Sequence, residues 1–119
     1  MSCDFQANDR DKVPVRCRHD TWESHITDEH LEMLEQQGAV ITTVRDPVYV
    51  YQSARYARRR LFYRPFVLSG AFNRFYLLVV VQYKGNGRNT TGEIVTAYST
   101  ANIKEGDALI WSKYETKGS

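Results

Sequence analysis

One apolar segment organises this chain of 119 residues: NRFYLLVVVQY, at residues 73–83. Its centre is apolar at consecutive positions, which is typical of a strand buried on both faces in the middle of a sheet. Two flanking segments alternate between apolar and polar residues, and we expect them to be its neighbours in the sheet: Arg59–Phe66 and Gly92–Thr100. A short last strand is expected at Leu109–Trp111.

The first half of the chain carries helix signals instead. Thr21 and Thr27 are suitable N-cap residues, and the second predicts a helix over Asp28–Gln37. Asp46 followed by Pro47 predicts another short helix, which ends near Arg55. Residues 39–44 are expected to form a helical turn or a short strand, with the helix favoured, and residues 13–18 a short edge strand. The predicted fold is therefore α+β, with N-terminal short helices packed on a roughly four-stranded antiparallel sheet.

Length and composition fit one domain: 42% of the residues are apolar and 25% are charged. Residues 1–12 are expected to form a flexible polar tail, and residues 13–119 the domain. The longest apolar run is far shorter than the roughly 20 residues that span a bilayer, and the N-terminus has no secretory pattern. We therefore expect a cytoplasmic protein without a membrane partner. Its two cysteines, Cys3 and Cys17, are expected to be ordinary thiols.

The formal net charge of +2 conceals an asymmetry between the two halves. Residues 1–46 carry ten acidic and five basic side chains, whereas residues 47–119 carry four acidic and eleven basic ones. Five arginines lie within ten residues: Arg55, Arg58, Arg59, Arg60 and Arg64. Because guanidinium groups bind phosphate bidentately and stack on bases, a polyanionic partner is expected. The alternative is a solvated basic face.

Two of the predicted strands carry polar side chains on one face. Thr96, Tyr98 and Thr100 point to one side, together with Ile94. If the central strand pairs with both neighbours, Tyr63 shares that side. Arginine, tyrosine, threonine and histidine can cleave a phosphodiester without a metal, and attack by a ribose 2′-hydroxyl would restrict the substrate to RNA. Threonine and tyrosine are also good strand formers, so a purely structural role is the alternative.

Histidine is the side chain best suited to proton transfer near neutral pH, and this chain has three: His19, His25 and His30. His25 and His30 are five residues apart, which is not the i,i+4 spacing of two metal ligands on one helical face. Nucleotide-binding loops and nucleophile elbows are absent from the sequence. We therefore expect neither a metal nor another cofactor.

The order of several short motifs resembles a known family. They include Trp22-Glu23-Ser24-His25-Ile26, His30-Leu31-Glu32-Met33, Arg60-Leu61-Phe62-Tyr63 and Ile94-Val95-Thr96-Ala97-Tyr98-Ser99-Thr100. The chain is similar over residues 13–112 to the phage-associated barnase–EndoU–colicin–RelE-like (BECR-fold) nuclease domains. Leu31 stands where that family usually has proline.

The resemblance implies helices followed by a four-stranded antiparallel sheet of the RelE/barnase type. It also implies a metal-independent RNase, of the kind found as toxins of mobile elements or toxin–antitoxin loci. The family's functional positions fall on His25, Tyr63, Thr96 and Tyr98. The partners it implies are RNA, including ribosome- or tRNA-associated RNA, and an antitoxin or immunity protein.

The leading hypothesis from the sequence is an endoribonuclease that acts by 2′-hydroxyl attack. His25 is assigned as general base or acid, with His30 as the secondary candidate. Tyr63, Thr96 and Tyr98 are assigned to orient the phosphate or stabilise charge. RNA binding is assigned to Arg55, Arg58, Arg59 and Thr100. The alternatives are a non-catalytic RNA- or protein-binding module on the same fold, and a metal-dependent hydrolase, for which no convincing third ligand exists.

Overall fold

The framework of the protein is a single mixed sheet. The computed structural model describes residues 5–114, and these contain seven strands. In chain order the strands are β1 (Phe5–Asn8), β2 (Pro14–Cys17), β3 (Tyr49–Gln52), β4 (Arg59–Pro65), β5 (Tyr76–Lys84), β6 (Thr91–Thr100) and β7 (Ala108–Ser112). Their order across the sheet is β1-β2-β6-β5-β4-β3-β7. Neighbours are antiparallel, except that β2 and β6 run parallel.

Two 3₁₀ turns, Gly70–Phe72 and Gly87–Asn89, flank β5, and the other helical segments of residues 5–114 lie between β2 and β3. They are α1 (His19–Thr21), a π-helical turn (Trp22–Ile26), α2 (Thr27–Glu29), a 3₁₀ turn (Leu31–Met33) and α3 (Gln37–Arg45). The helix expected over Asp28–Gln37 is wrong, because the backbone leaves helical geometry at His30, with φ −131° and ψ 85°. The helix expected over residues 39–44 is confirmed as α3. None of the helices between residues 5 and 114 combines the length and apolar character needed to cross a bilayer.

The main core lies between the helical segments and one face of the sheet. Phe62, Leu77 and Val79 point from the central strands toward the helices, and each is at most 1% exposed. They meet Ile26 from the π-helical turn and Val40 from α3. Burying each such side chain contributes roughly 1.5–3 kcal/mol, so this layer supplies much of the driving force for folding.

The α+β class is confirmed, but the sheet is larger than expected and is not purely antiparallel. The helix predicted to follow Pro47 is wrong: Tyr49, Val50 and Tyr51 alternate between the two sheet faces and pair with β4. β2 is also an interior strand, not an edge. Pro14 is tolerated because it is the first residue of that strand, where a missing N–H interrupts no ladder.

The segment expected to be a flexible polar tail contains β1. This strand pairs with β2 in a hairpin. The buried Asp9 closes the hairpin by accepting backbone N–H bonds from Asp11 and Val13, at 2.8 and 2.9 Å. Tyr83 of β5 donates its hydroxyl to the same carboxylate at 2.7 Å. The tail assignment therefore fails from residue 5 onward. Residues 1–4 of that segment, which include Cys3, lie outside the described residues, and so do residues 115–119.

A β-bulge in β6 changes one expected side-chain direction. Val80 pairs with Thr96 and Val81 pairs with Ile94, so Val95 is an extra residue. Two strand residues then oppose one, which inverts the alternation beyond that point. Ile94 consequently enters the helix-side core at 3% exposure and does not share the face of Thr96 and Tyr98, as the sequence pattern predicts.

Candidate active site

The sheet face opposite the helices is rich in tyrosine and is partly covered by a loop. Tyr63 and Leu78 are buried there, and Tyr49, Tyr76 and Tyr98 are half-buried around them. The loop of residues 101–107, called the covering loop below, runs from β6 to β7 and crosses this face. It is anchored at its middle and at its end. The backbone N–H of Lys104 donates to the Tyr63 hydroxyl at 3.2 Å, and Asp107 accepts the N–H of Ala54 at 2.8 Å.

A groove of about 340 Å³ lies beside the covering loop. Four of the sequence-predicted residues line it: Arg55, Arg59, Thr96 and Tyr98. Lys104 of the covering loop also lines it. Three cationic side chains and several hydroxyl groups therefore converge on one concave surface, which the carboxylates of Glu105 and Asp107 also line. The cations outnumber the carboxylates, so the surface is suited to binding a phosphodiester.

Arg59 is held at the groove wall by two contacts. Its Nε donates to Oε1 of Gln82 at 2.7 Å, and its guanidinium carbon lies 4.1 Å from the ring centroid of Tyr56. Alternation along β4 puts Arg59 on the same face as Leu61, which forms part of the groove floor. The guanidinium is thus fixed before any ligand binds, which reduces the entropy lost on binding.

Tyr98 carries a histidine on its ring. His30 stacks on Tyr98, with ring centroids 4.9 Å apart and planes inclined by 24°. The residues after His30 are tied to β6 by Glu32, whose carboxylate accepts the Ser99 N–H at 3.1 Å and the Ser99 hydroxyl at 2.9 Å. Burial alone would raise the pKa of Glu32, but the Ser99 hydrogen bonds and the nearby His30 outweigh burial, so the pKa lies below its ordinary value. Glu32 is therefore a charged anchor at neutral pH.

Tyr63 is on the expected face but has a different environment from the one that the sequence suggests. It is fully buried beneath the covering loop, and its hydroxyl accepts the Lys104 N–H. Burial raises the pKa of Tyr63 to about 12. Its hydroxyl thus holds the segment that carries Lys104 and does not line the groove.

His25 lies in a neighbouring cavity and not in the groove. That cavity, of about 440 Å³, is lined by His25 and Lys84, among others. Nδ1 of His25 lies 3.4 Å from a carboxylate oxygen of Glu29, one helical turn away. The two cavities are adjacent, because Val95 lines both and Gln82 of this cavity binds Arg59 of the groove.

Two predicted RNA-binding residues, Arg58 and Thr100, make structural contacts and lie outside the groove. Arg58 donates to the backbone carbonyls of Tyr83 and Gly85, at 3.0 and 2.7 Å, and so braces the hairpin between β5 and β6. Thr100 donates its hydroxyl to the carbonyl of Asn102 at 2.8 Å and shapes the start of the covering loop. Neither residue lines the groove.

Lys104 and Tyr56 are among the groove residues that the sequence analysis did not assign. Both carry a signal in hindsight: Tyr56 is embedded in the arginine cluster, and Lys104 begins the turn before the last strand. Only the path of the covering loop brings Lys104 back over the sheet.

A third cavity, of about 360 Å³, opens on the opposite side of the sheet. Its charged groups already interact with one another. Arg60 lies 3.9 Å from a carboxylate oxygen of Asp11, and Arg10 lies over the ring of Trp111 at 4.1 Å. This pairing makes it less suited to an anionic ligand than the groove. Among residues 5–114, no three His, Cys, Asp or Glu side chains group in a way that could hold a metal ion.

Comparison with known proteins adds no relative: no family model, curated protein or solved structure matches this chain.

Proposed function

We propose that this protein is an endoribonuclease that cleaves RNA by attack of a ribose 2′-hydroxyl on the adjacent phosphorus. The observation that carries the proposal is the groove. It combines three cationic side chains, from Arg55, Arg59 and Lys104, with the hydroxyls of Thr96 and Tyr98. Fixed cations and hydroxyl donors can stabilise the charge that develops in phosphodiester cleavage, and the proton-transfer groups must then come from beside the groove.

The reaction moves two protons. A base takes the proton of the 2′-hydroxyl, whose oxygen forms a bond to phosphorus. The bond from phosphorus to the 5′-oxygen breaks, and that oxygen receives a proton from an acid. The products are a 2′,3′-cyclic phosphate and a 5′-hydroxyl. The negative charge that builds on the phosphorane oxygens is stabilised by fixed donors.

We assign the charge-stabilising role to the cations of the groove. Arg59 is the central one, because Gln82 and Tyr56 hold its guanidinium in place. A planar guanidinium can bind two phosphate oxygens at once. Lys104 faces the same groove from the covering loop, so the phosphate would sit between β4 and that loop.

The proton-transfer role is assigned first to His30. His30 does not itself line the groove, but its ring stacks on Tyr98, which does, whereas His25 lines the neighbouring cavity. His25 reaches a substrate if the RNA extends from the groove past Val95 into that cavity. Both histidines therefore belong in the experimental test.

We also propose that the chain belongs to the BECR-fold nucleases. The antiparallel run β3-β4-β5-β6 supports the proposal, since it supplies four adjacent strands after the helical segments. In that case β1, β2 and β7 are additions around the family's sheet.

The test is incubation of the purified protein with RNA oligonucleotides in the presence of EDTA. We expect cleavage by the wild type, and a loss of at least tenfold in rate for Arg59→Ala and for His30→Ala. Arg88→Ala is the matched control, because Arg88 is exposed in the turn between β5 and β6 and does not line the groove.

Binding of RNA without cleavage, in wild type and variants alike, would contradict the nuclease and favour the non-catalytic module. Full activity of His30→Ala together with an inactive His25→Ala would move the proton transfer to the neighbouring cavity.

A further inference from the structure

The loop of residues 53–58, between β3 and β4, is unusually well braced for an exposed segment. The amide of Gln52 lies inside it and donates to the carbonyls of Ala57 and Arg59, at 3.0 and 3.1 Å. The hydroxyl of Ser53 accepts the backbone N–H groups of Arg55 and Tyr56, at 3.2 and 3.1 Å. Because its backbone is hydrogen-bonded internally, this loop presents its side chains in a defined arrangement without help from the core.

The loop presents a cationic and an aromatic side chain next to each other. Arg55 and Tyr56 both line the groove and are exposed, Tyr56 to 42%. The guanidinium carbon of Arg59 lies 4.1 Å from the Tyr56 ring centroid, and that of Arg55 lies 5.4 Å from it. Both guanidinium groups lie over the Tyr56 ring, so a nucleobase that stacks on this ring must displace one of them. Gln82 holds Arg59, whereas Arg55 is exposed and more distant, so Arg55 is the one that can move from the ring to a phosphate.

We propose that the 53–58 loop binds single-stranded RNA by stacking one nucleobase on Tyr56, while Arg55 holds a neighbouring phosphate. The identity of the substrate rests on the proposed function, but the stacking itself does not. A base stacks on an aromatic ring only when it is free of its own helix, so this surface selects a single strand over a duplex. The preformed loop reduces the ordering cost of binding.

The experiment uses 2′-O-methyl RNA that carries 2-aminopurine at one position. This probe lacks the attacking hydroxyl, so it stays intact whether or not the protein is a nuclease. Stacking on an aromatic ring quenches the fluorescence of 2-aminopurine, and titration gives an affinity. The variants are Tyr56→Phe, Tyr56→Ala and, as a matched control, Tyr114→Ala. Tyr114 is 70% exposed and does not line the groove. Circular dichroism checks that each variant is folded.

We expect Tyr56→Phe to keep both the affinity and the quenching, because the ring is retained. Tyr56→Ala should bind about tenfold more weakly, without quenching, and Tyr114→Ala should behave as the wild type. The same probe in a duplex should bind more weakly than the single strand.

Equal affinity for Tyr56→Ala and the wild type, or a duplex that binds as tightly as the single strand, would overturn the inference. These results can be told apart from failure of the proposed function. If the protein cleaves unmodified RNA but Tyr56→Ala binds the probe as the wild type does, the nuclease proposal stands and the stacking proposal is refuted. If the variants bind the probe as expected but the protein cleaves no RNA, the nuclease proposal is refuted and the stacking proposal stands.

Discussion

Replacing Glu32 by Gln should lower the stability of the folded protein. On the proposed mechanism, it should also lower the rate of RNA cleavage. The wild-type carboxylate accepts two hydrogen bonds from Ser99 and thereby holds the segment that follows His30 against β6. Gln has nearly the same shape, so it keeps the packing while it removes the charge. The variant thus tests whether this charged anchor positions His30 on Tyr98.

The magnitude follows from the two hydrogen bonds. A hydrogen bond to a charged group is worth about 1 kcal/mol more than one to a neutral group, and Glu32 accepts two such bonds. Because the site is half-buried, solvent reduces their combined contribution by about half. We therefore expect the free energy of unfolding to fall by about 1 kcal/mol. In urea, with a slope of roughly 2 kcal/mol per M, the midpoint should fall by about 0.5 M. The rate constant of cleavage should fall more than the substrate affinity, because His30 loosens while the groove cations remain.

The pH dependence gives a sharper check. The pKa of Glu32 is lowered in the folded protein, so its contribution to stability is present above its ordinary value of 4.5 and is lost as pH falls through the lower folded pKa. The midpoints of wild type and Glu32→Gln should therefore differ at pH 7 and converge below pH 4.5. The matched control is Glu35→Gln, an exposed carboxylate of the same segment, which should unfold as the wild type does. An equal difference at both pH values, or an equal effect of the control, would refute the reasoning.

Three further substitutions test the fold, each measured by urea unfolding. Gly85→Ala should cost several kcal/mol, because φ is +83° there and a Cβ would collide with the carbonyl oxygen of Asn89; wild-type stability would contradict this turn geometry. Tyr83→Phe should cost about 2 kcal/mol, since it leaves a buried oxygen of Asp9 without its donor; a loss under 0.5 kcal/mol would show that this bond contributes little. Tyr63 has a pKa raised to about 12, so stability should fall as pH rises from 10 toward 12. Tyr63→Phe should reduce that fall. If the variant and the wild type lose stability equally between about pH 10 and 12, the assignment of a buried Tyr63 hydroxyl is contradicted.

The periodic strands were the part of the fold that sequence reasoning could predict. The segments around β4, β5 and β6 alternate or are continuously apolar, and each forms a strand in the structure. The local sequence pattern is sufficient there, because the spacing of apolar residues indicates directly whether one or both faces of a strand are buried. The pattern over residues 39–44 left a short strand as the alternative to a helix, and the structure forms α3 there.

The errors came from non-local pairing. Asp46-Pro47 has the local chemistry of a helix start, yet the following residues pair with β4, an interaction that short-range rules do not include. β1 lies in a polar segment and is held by pairing with β2 and by the contact of Asp9 with Tyr83 from β5. Neither contact has a signature within its own stretch of sequence.

The candidate site was partly predictable for the same reason. Strand alternation places Arg59, Thr96 and Tyr98 on one face, and the structure brings them into one groove. Tyr63 shares that face, but its burial depends on the path of the covering loop. Lys104 enters the groove through that same path, which no periodicity encodes.

The most direct test of the central claim is the chemistry of the RNA ends. An RNA oligonucleotide is incubated with the protein in EDTA, and the products are identified by mass spectrometry. Attack by the 2′-hydroxyl predicts fragments that end in a 2′,3′-cyclic phosphate and begin with a 5′-hydroxyl. A 2′-deoxy substitution at the cleaved position should abolish that cut. Fragments with 5′-phosphates, or a cut that survives the 2′-deoxy substitution, would contradict the mechanism.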